Sequence, residues 1–233
     1  MKLNVIIIIA ALSVSFGACS NKGVDKLKPE TQDDSLAYAF GVDIYNNLQR
    51  QSNLELDPLF LAKGMQDAKE GNSIFVDAAA EGYIMMVMEE REEGNLREQF
   101  SDYIAENEEF LEENKEKEGV ITTESGLQYK VIEMGDGPKP EPTDTVIVHY
   151  TGKLINDSVF DSSRERGEPA RFRANALIKG WSEGLQLMPE GSTFMFYVPQ
   201  ELGYGTRGAG QTIQPFSTLI FEVELLEVVN NEK

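Results

Sequence analysis

The spacing of apolar residues divides the chain into a helical first half and a strand-forming second half. Up to about residue 118, apolar side chains recur every three or four positions, as at Leu36, Phe40, Ile44 and Leu48. After Gly119 the apolar period falls to two, which predicts strands with one buried face. Their inward-facing positions are Leu127, Tyr129 and Val131; Val146, Val148 and Tyr150; Phe194, Phe196 and Val198; and Leu219, Phe221, Val223 and Leu225. The pattern predicts an α+β protein, in which helices precede an antiparallel sheet curled over one short helix at about residues 177–187.

The first two helices have recognisable ends. Asp33-Asp34-Ser35 is a candidate cap for the first helix. Asp57-Pro58 begins the second, because proline suits the first helical position. Gly71-Asn72 then closes it.

The third predicted helix starts near Asp77 and continues to about Glu118, a rod of roughly 60 Å at about 1.5 Å per residue. Gly94-Asn95 in its middle is expected to kink or weaken it. Residues 83–88 are apolar on every side, so the first two helices or another chain must cover them. Residues 89–118 hold 13 acidic and 4 basic side chains. That composition is typical of a solvated helix face, with a specific cation or partner site as the alternative.

Residues 1–18 have the pattern of a signal peptide, with a basic start, an apolar stretch and small residues at the end. The apolar stretch is short for a membrane span, which needs about 20 residues. Gly17-Ala18 precede Cys19, the only cysteine of the chain. This ending resembles a bacterial lipoprotein signal, in which Cys19 becomes the lipidated first residue; an ordinary secretory signal with a chance cysteine is the alternative. Residues 19–32 are polar and lack periodicity, as a tether does.

Charge and histidine content exclude several kinds of function. The formal net charge of −19 argues against nucleic acid as a partner. Residues 1–119 carry −13 and residues 120–233 carry −6, which indicates two physically different regions. With His149 as the one histidine, a His-based triad or metal site is hard to assemble. We therefore expect neither a metal nor a cofactor.

Five motifs in the second half carry a family resemblance. In chain order they are residues 148–152 (VHYTG), 159–164 (VFDSSR), 178–181 (IKGW), 199–205 (PQELGYG) and 217–225 (STLIFEVEL). Together they resemble the FKBP-type peptidyl-prolyl cis-trans isomerases, in the family's order and spacing, from about residue 126 to 228. Residues 34–41 and 61–68 resemble the amino-terminal domain of the dimeric, macrophage infectivity potentiator-like group, whose first two helices interlock two subunits.

The resemblance implies a site made of aromatic rings. Its lining would comprise Trp181 as the floor, Tyr150, Phe160 and Phe221 as walls, and Phe172 and Ile213. At the rim, the hydroxyl of Tyr204 and the backbone N–H of Ile178 would bind the substrate carbonyl, with Leu177 beside them. Asp161 would lie near the twisting carbonyl, held by Tyr150 and Arg166. The catalytic candidates are thus Asp161, Tyr204, Tyr150 and Phe221; the substrate-binding candidates are Phe160, Arg166, Phe172, Leu177, Ile178, Trp181 and Ile213.

Such a site suits the reaction, because isomerisation needs no nucleophile. Its barrier of roughly 18 to 20 kcal/mol is lost amide resonance, and the twisted imide has less charge separation than the planar one. A dry aromatic pocket therefore disfavours the planar ground state more than the transition state. Ala170 and Thr212 stand where the family often has an aromatic and an apolar residue, so a wider bowl is expected.

These observations predict four regions: a lipoprotein signal at 1–18, a tether at 19–32, a helical dimerisation domain with a long linker helix at 33–118, and an isomerase domain at 119–233. We interpret the chain as a homodimeric isomerase acting on proline-containing polypeptides among exported proteins, with a chaperone role. The lipid anchor would place it in a bacterial envelope, on the outer membrane facing the periplasm. A non-catalytic holdase that recognises proline is the alternative, and proline-limited refolding separates the two.

Overall fold

The computed structural model describes residues 27–52 and 54–230, and the chain forms two compact units that divide between Val76 and Asp77. The helices are α1 (Gln32–Ser52), α2 (Pro58–Glu70), α3 (Asp77–Gln99), α4 (Ser101–Lys115), α5 (Ser163–Arg166) and α6 (Lys179–Leu187). The strands are β1 (Val120–Thr122), β2 (Gln128–Glu133), β3 (Thr145–Lys153), β4 (Val159–Ser162), β5 (Ala170–Arg173), β6 (Thr193–Val198) and β7 (Leu219–Val229).

The predicted α+β class is confirmed. The predicted signal and Cys19 lie outside the described residues, among which no helix is long and apolar enough to cross a membrane.

The cap of α1 differs from the prediction. The hydroxyl of Thr31 accepts the N–H of Asp34 at 3.1 Å, and the Asp34 carboxylate accepts the N–H of Thr31 at 2.9 Å. The side-chain bond with Thr31, followed by the backbone bonds, lowers the pKa of Asp34. The cap is therefore Thr31 and not Asp33-Asp34-Ser35, because Thr31 and Asp34 satisfy each other reciprocally.

The second helix begins and ends as predicted. The Asp57 carboxylate accepts the N–H of Leu59 at 2.8 Å. Gly71 closes the helix with φ of 71°, a left-handed conformation that favours glycine.

The single long helix predicted after Asp77 is two helices, α3 and α4. The chain departs from helical geometry at Phe100, with φ −103° and ψ 16°. α3 continues through Gly94-Asn95, so the helix does not end there; a helical glycine costs only about 1 kcal/mol relative to alanine. The break instead lies where the ring of Phe100 meets that of the buried Phe216, with centroids 6.1 Å apart.

Four side chains in the apolar segment of α3 are largely exposed. Tyr83, Ile84, Met85 and Met86 are 50%, 61%, 71% and 55% exposed.

A seven-stranded antiparallel sheet forms the body of the second unit, in the order β1-β2-β6-β7-β3-β4. β5 pairs with β3 along the same edge as β4, so two short strands share one long neighbour. The predicted alternation is confirmed in β3 and β6, where Val146, Val148, Phe194 and Phe196 are at most 1% exposed; in β2 it is not clean, because Gln128 is buried beside the partly buried Tyr129. The four apolar residues of β3 and β6 form part of the core beneath α6.

Two glycines allow α6 to lie directly on the sheet. A Cβ at Gly180 would come within 2.5 Å of Val198 Cγ1, and one at Gly184 within 2.7 Å of the Phe196 ring. No larger residue fits without displacing the helix. The close approach puts Trp181, which follows Gly180, into the core with 3% of its surface exposed.

Buried amides join α4 to the sheet. Asn107 Oδ1 accepts the N–H of Thr218 at 2.7 Å, and Asn114 Nδ2 donates to Gln128 Oε1 at 2.8 Å. The Tyr103 and Ser217 hydroxyls lie 2.9 Å apart. Asn107, Asn114 and Gln128 are 3%, 1% and 4% exposed. The second unit therefore includes α3 and α4, which the apolar pattern had placed in the helical region at residues 33–118.

Candidate active site

A cavity of about 170 Å³ opens where α6 crosses the sheet. Its lining consists of Tyr150, Phe160, Asp161, Phe172, Leu177, Ile178, Trp181, Tyr204 and Phe221, all of them candidates from the sequence. The other two candidates lie outside this lining. Arg166 contacts Tyr150 and Asp161. Ile213 is 8% exposed in the core and pairs with Ala209, so its predicted place in the lining is not observed.

Trp181 is the centre of the ring cluster. Its ring lies nearly perpendicular to three neighbours, with centroid distances of 5.2 Å to Tyr150, 5.2 Å to Phe221 and 5.9 Å to Phe172. Phe160 in turn meets Phe221 edge-on at 5.5 Å. Each such pair contributes about 0.5–1.5 kcal/mol beyond its buried area. The rings therefore hold one another in a fixed concave arrangement.

The strand pattern and one glycine explain how the rings meet. Tyr150 of β3 and Phe221 of β7 both point to the inner face. Gly152 pairs with Asp161 of β4 on one side and with Phe221 on the other. A Cβ at Gly152 would come within 2.7 Å of the Phe160 ring and 2.8 Å of the Phe221 ring. The absent side chain of Gly152 is therefore what brings these two rings together.

One wall of the cavity is polar. The Asp161 carboxylate accepts hydrogen bonds from the Tyr150 hydroxyl and from Arg166 Nη1, and Arg166 Nη2 donates to Tyr150 Oη at 3.0 Å. The Arg166–Asp161 pair is half exposed and adds only about 0–1 kcal/mol of stability. Its main effect is to fix the orientation of the carboxylate.

The same contacts keep the Tyr150 hydroxyl protonated. Burial, and then the hydrogen bond to Asp161, raises the pKa of Tyr150 against the opposing effect of Arg166. The bonds to Tyr150 and Asp161 raise the pKa of Arg166. Tyr150 therefore remains a donor to Asp161 throughout the neutral and mildly alkaline range.

The short helix α5 brings Arg166 back to Asp161. Ser162 caps it by accepting the N–H of Glu165 at 3.3 Å, and Gly167 ends it with φ of 79°. Ser163, fully buried, accepts the N–H of Tyr150 at 2.8 Å and lies 3.1 Å from His149 Nδ1. This contact gives the lone histidine a structural partner.

Gly152 and Ser163 lie in two of the motifs identified in the sequence but were given no role, because neither belongs to an apolar period or carries obvious chemistry. The indole N–H of Trp181 was likewise given no role. That atom is buried and has no hydrogen-bond partner within the described part of the chain.

Two family models match the chain. A model described as FKBP-type peptidyl-prolyl cis-trans isomerase matches residues 137–226, and one described as the domain amino-terminal to that isomerase matches residues 33–131. Both halves of the resemblance seen in the sequence are therefore confirmed.

Known proteins of this kind match most of the chain. The FKBP-type 22 kDa peptidyl-prolyl cis-trans isomerase of Escherichia coli strain K12 is 47% identical, covering 86% of this chain and 97% of that protein. The outer membrane protein MIP of Legionella longbeachae is 40% identical, covering 85% of this chain and 86% of that protein.

Among solved structures, FkpA from Escherichia coli aligns with a TM-score of 0.57 at 34% identity, over 88% of this chain and all of that one. The chain belongs to the FKBP-type peptidyl-prolyl cis-trans isomerases, enzymes that interconvert the cis and trans forms of peptide bonds before proline.

Proposed function

We propose that the aromatic cavity around Trp181 is the catalytic site and that the protein accelerates X-Pro isomerisation in exported polypeptides. The observation that carries this proposal is a carboxylate held in one orientation beside a cavity of perpendicular rings. The rings exclude water from the substrate imide. The planar imide, which has the greater charge separation, loses more solvation there than the twisted one.

The polar groups act at the rim of the cavity. We assign the substrate carbonyl to the Tyr204 hydroxyl and to the backbone N–H of Ile178. As the N-cap of α6, Ile178 accepts the N–H of Ser182 through its carbonyl at 3.0 Å, while its own N–H has no partner within the helix. Asp161 lies by the carbonyl that rotates, and Tyr150 and Arg166 hold its carboxylate in place. These contacts favour the twisted form and so lower the barrier.

Two rim variants test this assignment. Asp161→Asn and Tyr204→Phe nearly preserve size, so the free energy of unfolding should change by no more than about 1 kcal/mol. We expect kcat/KM for a proline-containing peptide to fall at least about tenfold in each variant. A tenfold fall corresponds to a loss of about 1.4 kcal/mol of transition-state stabilisation. The protease-coupled or NMR exchange rate of such a peptide measures this.

Asp136→Asn, an exposed carboxylate outside the cavity, is the matched control and should keep wild-type activity. Unchanged activity in both rim variants would remove the roles assigned to Asp161 and Tyr204. A wild-type protein that binds unfolded chains without accelerating proline-limited refolding would favour the holdase alternative.

We further propose that the first unit, with the apolar part of α3, forms a homodimer interface. Large apolar side chains of α1 and α2 remain exposed, among them Tyr38 at 67%, Phe40 at 60% and Phe60 at 79%. Tyr38, Val42, Leu61 and Met65 line an apolar cavity of about 430 Å³ within that unit. Exposed apolar surface of this kind is typical of a protein–protein interface, and the proposal takes a second copy of the chain as its cover.

Sedimentation tests the dimer. The chain from Ser20 should sediment as a dimer at micromolar concentration, whereas a fragment from Asp77 should shift towards the monomer because it lacks α1 and α2. In the full chain, Phe60→Ser should weaken association at least about tenfold, since it removes a large apolar side chain from the interface. The matched variant Ile132→Ser changes a residue of β2 that is 57% exposed and should leave association unchanged. A monomeric full chain contradicts this part of the proposal.

We also propose that lipid on Cys19 anchors the protein in a bacterial envelope, on the outer membrane facing the periplasm. The apolar stretch and Gly17-Ala18-Cys19 support this, as does the relative named an outer membrane protein.

Replacing the cysteine tests the anchor. Cys19→Ser should abolish incorporation of labelled fatty acid and move the protein from the membrane to the soluble fraction. Ser20→Ala, the neighbouring change, should leave both unaltered. Membrane association of Cys19→Ser together with an unlabelled wild type would show that there is no lipid anchor.

A further inference from the structure

A second, larger cavity adjoins the catalytic one. It has a volume of about 810 Å³ and lies between the start of α6 and the loop at residues 200–209. Leu177, Ile178 and Tyr204 line both cavities. The two are therefore continuous at the rim, where the proposed function places the substrate carbonyl. We call the second cavity the flanking groove.

The loop that walls the flanking groove is held in place by backbone bonds. Ala209 and Ile213 exchange N–H···O bonds of 2.8 and 3.1 Å, and the N–H of Phe216 donates to Gly205 O at 2.9 Å. Gly208 has φ of 59°, and a Cβ there would lie 2.3 Å from Ile213 O. The wall is thus a built surface, since a side chain at Gly208 would break it.

The charge of the flanking groove opposes that of the whole chain. Lys179 and Arg207 line it, both exposed, and neither forms an ion pair with any residue that the structure describes. Glu201 is the acidic side chain of the lining, and its Oε1 accepts the amide of Gln200. Two basic groups thus face one acidic group here, in a chain with 21 basic and 40 acidic residues.

We propose that the flanking groove binds substrate residues next to the proline and prefers an acidic side chain there, with Lys179 and Arg207 as the specificity-determining residues. An extended chain advances about 3.3–3.6 Å per residue. Residues two to four positions from the proline therefore reach past the shared rim into the flanking groove. The proposal rests on the proposed function, because it takes the Trp181 cavity as the proline site.

A preference for acidic peptides can be distinguished from an effect of the net charge of the protein. A field set by the overall charge of −19 would attract basic peptides at every position. A local contact with Lys179 and Arg207 instead favours acidic peptides, and only at positions that reach the flanking groove. The overall charge therefore predicts faster isomerisation of basic peptides, whereas the local contact predicts faster isomerisation of acidic ones.

A peptide series tests the proposal. Each peptide contains one proline and carries Glu, Gln or Lys at a single position, which is the second, third or fourth residue before or after the proline. For each peptide kcat/KM is measured at low and at high salt. At low salt we expect kcat/KM to be about fivefold higher for the Glu peptide than for the Lys peptide at one or two adjacent positions on one side of the proline. This ratio should fall as salt is added.

Charge removal identifies the residues. In Lys179→Gln/Arg207→Gln the ratio of Glu to Lys should fall to about one or below, while Lys139→Gln, an exposed cation outside the groove, should keep the wild-type ratio. A wild-type preference for Lys throughout, or equal rates for all three side chains, overturns the proposal. So does a Glu preference that survives in the double variant. If the wild type isomerises none of the peptides, the proposed function itself fails, which is a distinct result.

Discussion

Replacing Trp181 with alanine should lower kcat/KM for proline-containing peptides by at least about a hundredfold, or about 2.7 kcal/mol of transition-state stabilisation. The indole is 3% exposed and contacts Tyr150, Phe172 and Phe221, so its loss removes the floor against which the rings pack. The same change opens a cavity in the core and should reduce the free energy of unfolding by about 3 to 5 kcal/mol.

Activity and urea unfolding measure the two effects of this change. Because Trp181 is the one tryptophan of the chain, unfolding must be followed by circular dichroism and not by indole fluorescence. Trp181→Phe keeps a ring on the floor and should retain more activity than Trp181→Ala. The contrary outcome is a Trp181→Ala variant that loses stability but keeps kcat/KM within about threefold of wild type. That change is less than about 0.7 kcal/mol of transition-state stabilisation, and it would mean that the indole is purely structural.

A single methyl group at Gly152 should lower both catalytic activity and stability. In Gly152→Ala the new Cβ would overlap the rings of Phe160 and Phe221, which both line the catalytic cavity. Such overpacking costs about 1–3 kcal/mol of stability. The displaced rings should lower kcat/KM by about tenfold or more, because shape complementarity to the twisted imide is lost.

Gly94→Ala is the matched control for Gly152→Ala. Nothing lies within 4 Å of a Cβ at Gly94, inside α3. That variant should keep full activity and gain up to about 1 kcal/mol of stability from helix propensity. Equal activity in Gly152→Ala and wild type would show that the two rings need no fixed position.

Most of the site was predicted from the family resemblance, and the period of two supported it for two of the rings. Tyr150 and Phe221 reach the same face by alternation alone, and the structure finds them on either side of Trp181. Ile213 was assigned to the lining by resemblance; it lies in the same buried cluster as Trp181 but not among the residues that line the cavity. The difference arises because loop geometry follows from backbone bonds that periodicity does not record.

What the sequence did not reveal is tertiary contact by polar residues. Asn107 and Asn114 sit among many acidic residues, so their positions resemble a solvated face, yet both are buried against the sheet. The break at Phe100 likewise coincides with a ring contact to Phe216, more than a hundred residues away. Thr31 was overlooked as a cap because a run of aspartates followed it.

The docking of α4 bears on how this protein can be divided and recombined. The change in apolar period near Gly119 suggests a cut there, but a fragment cut at that point would leave the Gln128 amide without Asn114 and the carbonyl of Leu111, and the N–H of Thr218 without Asn107. Buried polar groups left unpaired each cost about 1–3 kcal/mol. A transplantable catalytic module therefore begins at Asp77, and chimeras that exchange the catalytic half between relatives should place their crossover before α3, where α4 and its recognition surface on the sheet are inherited together.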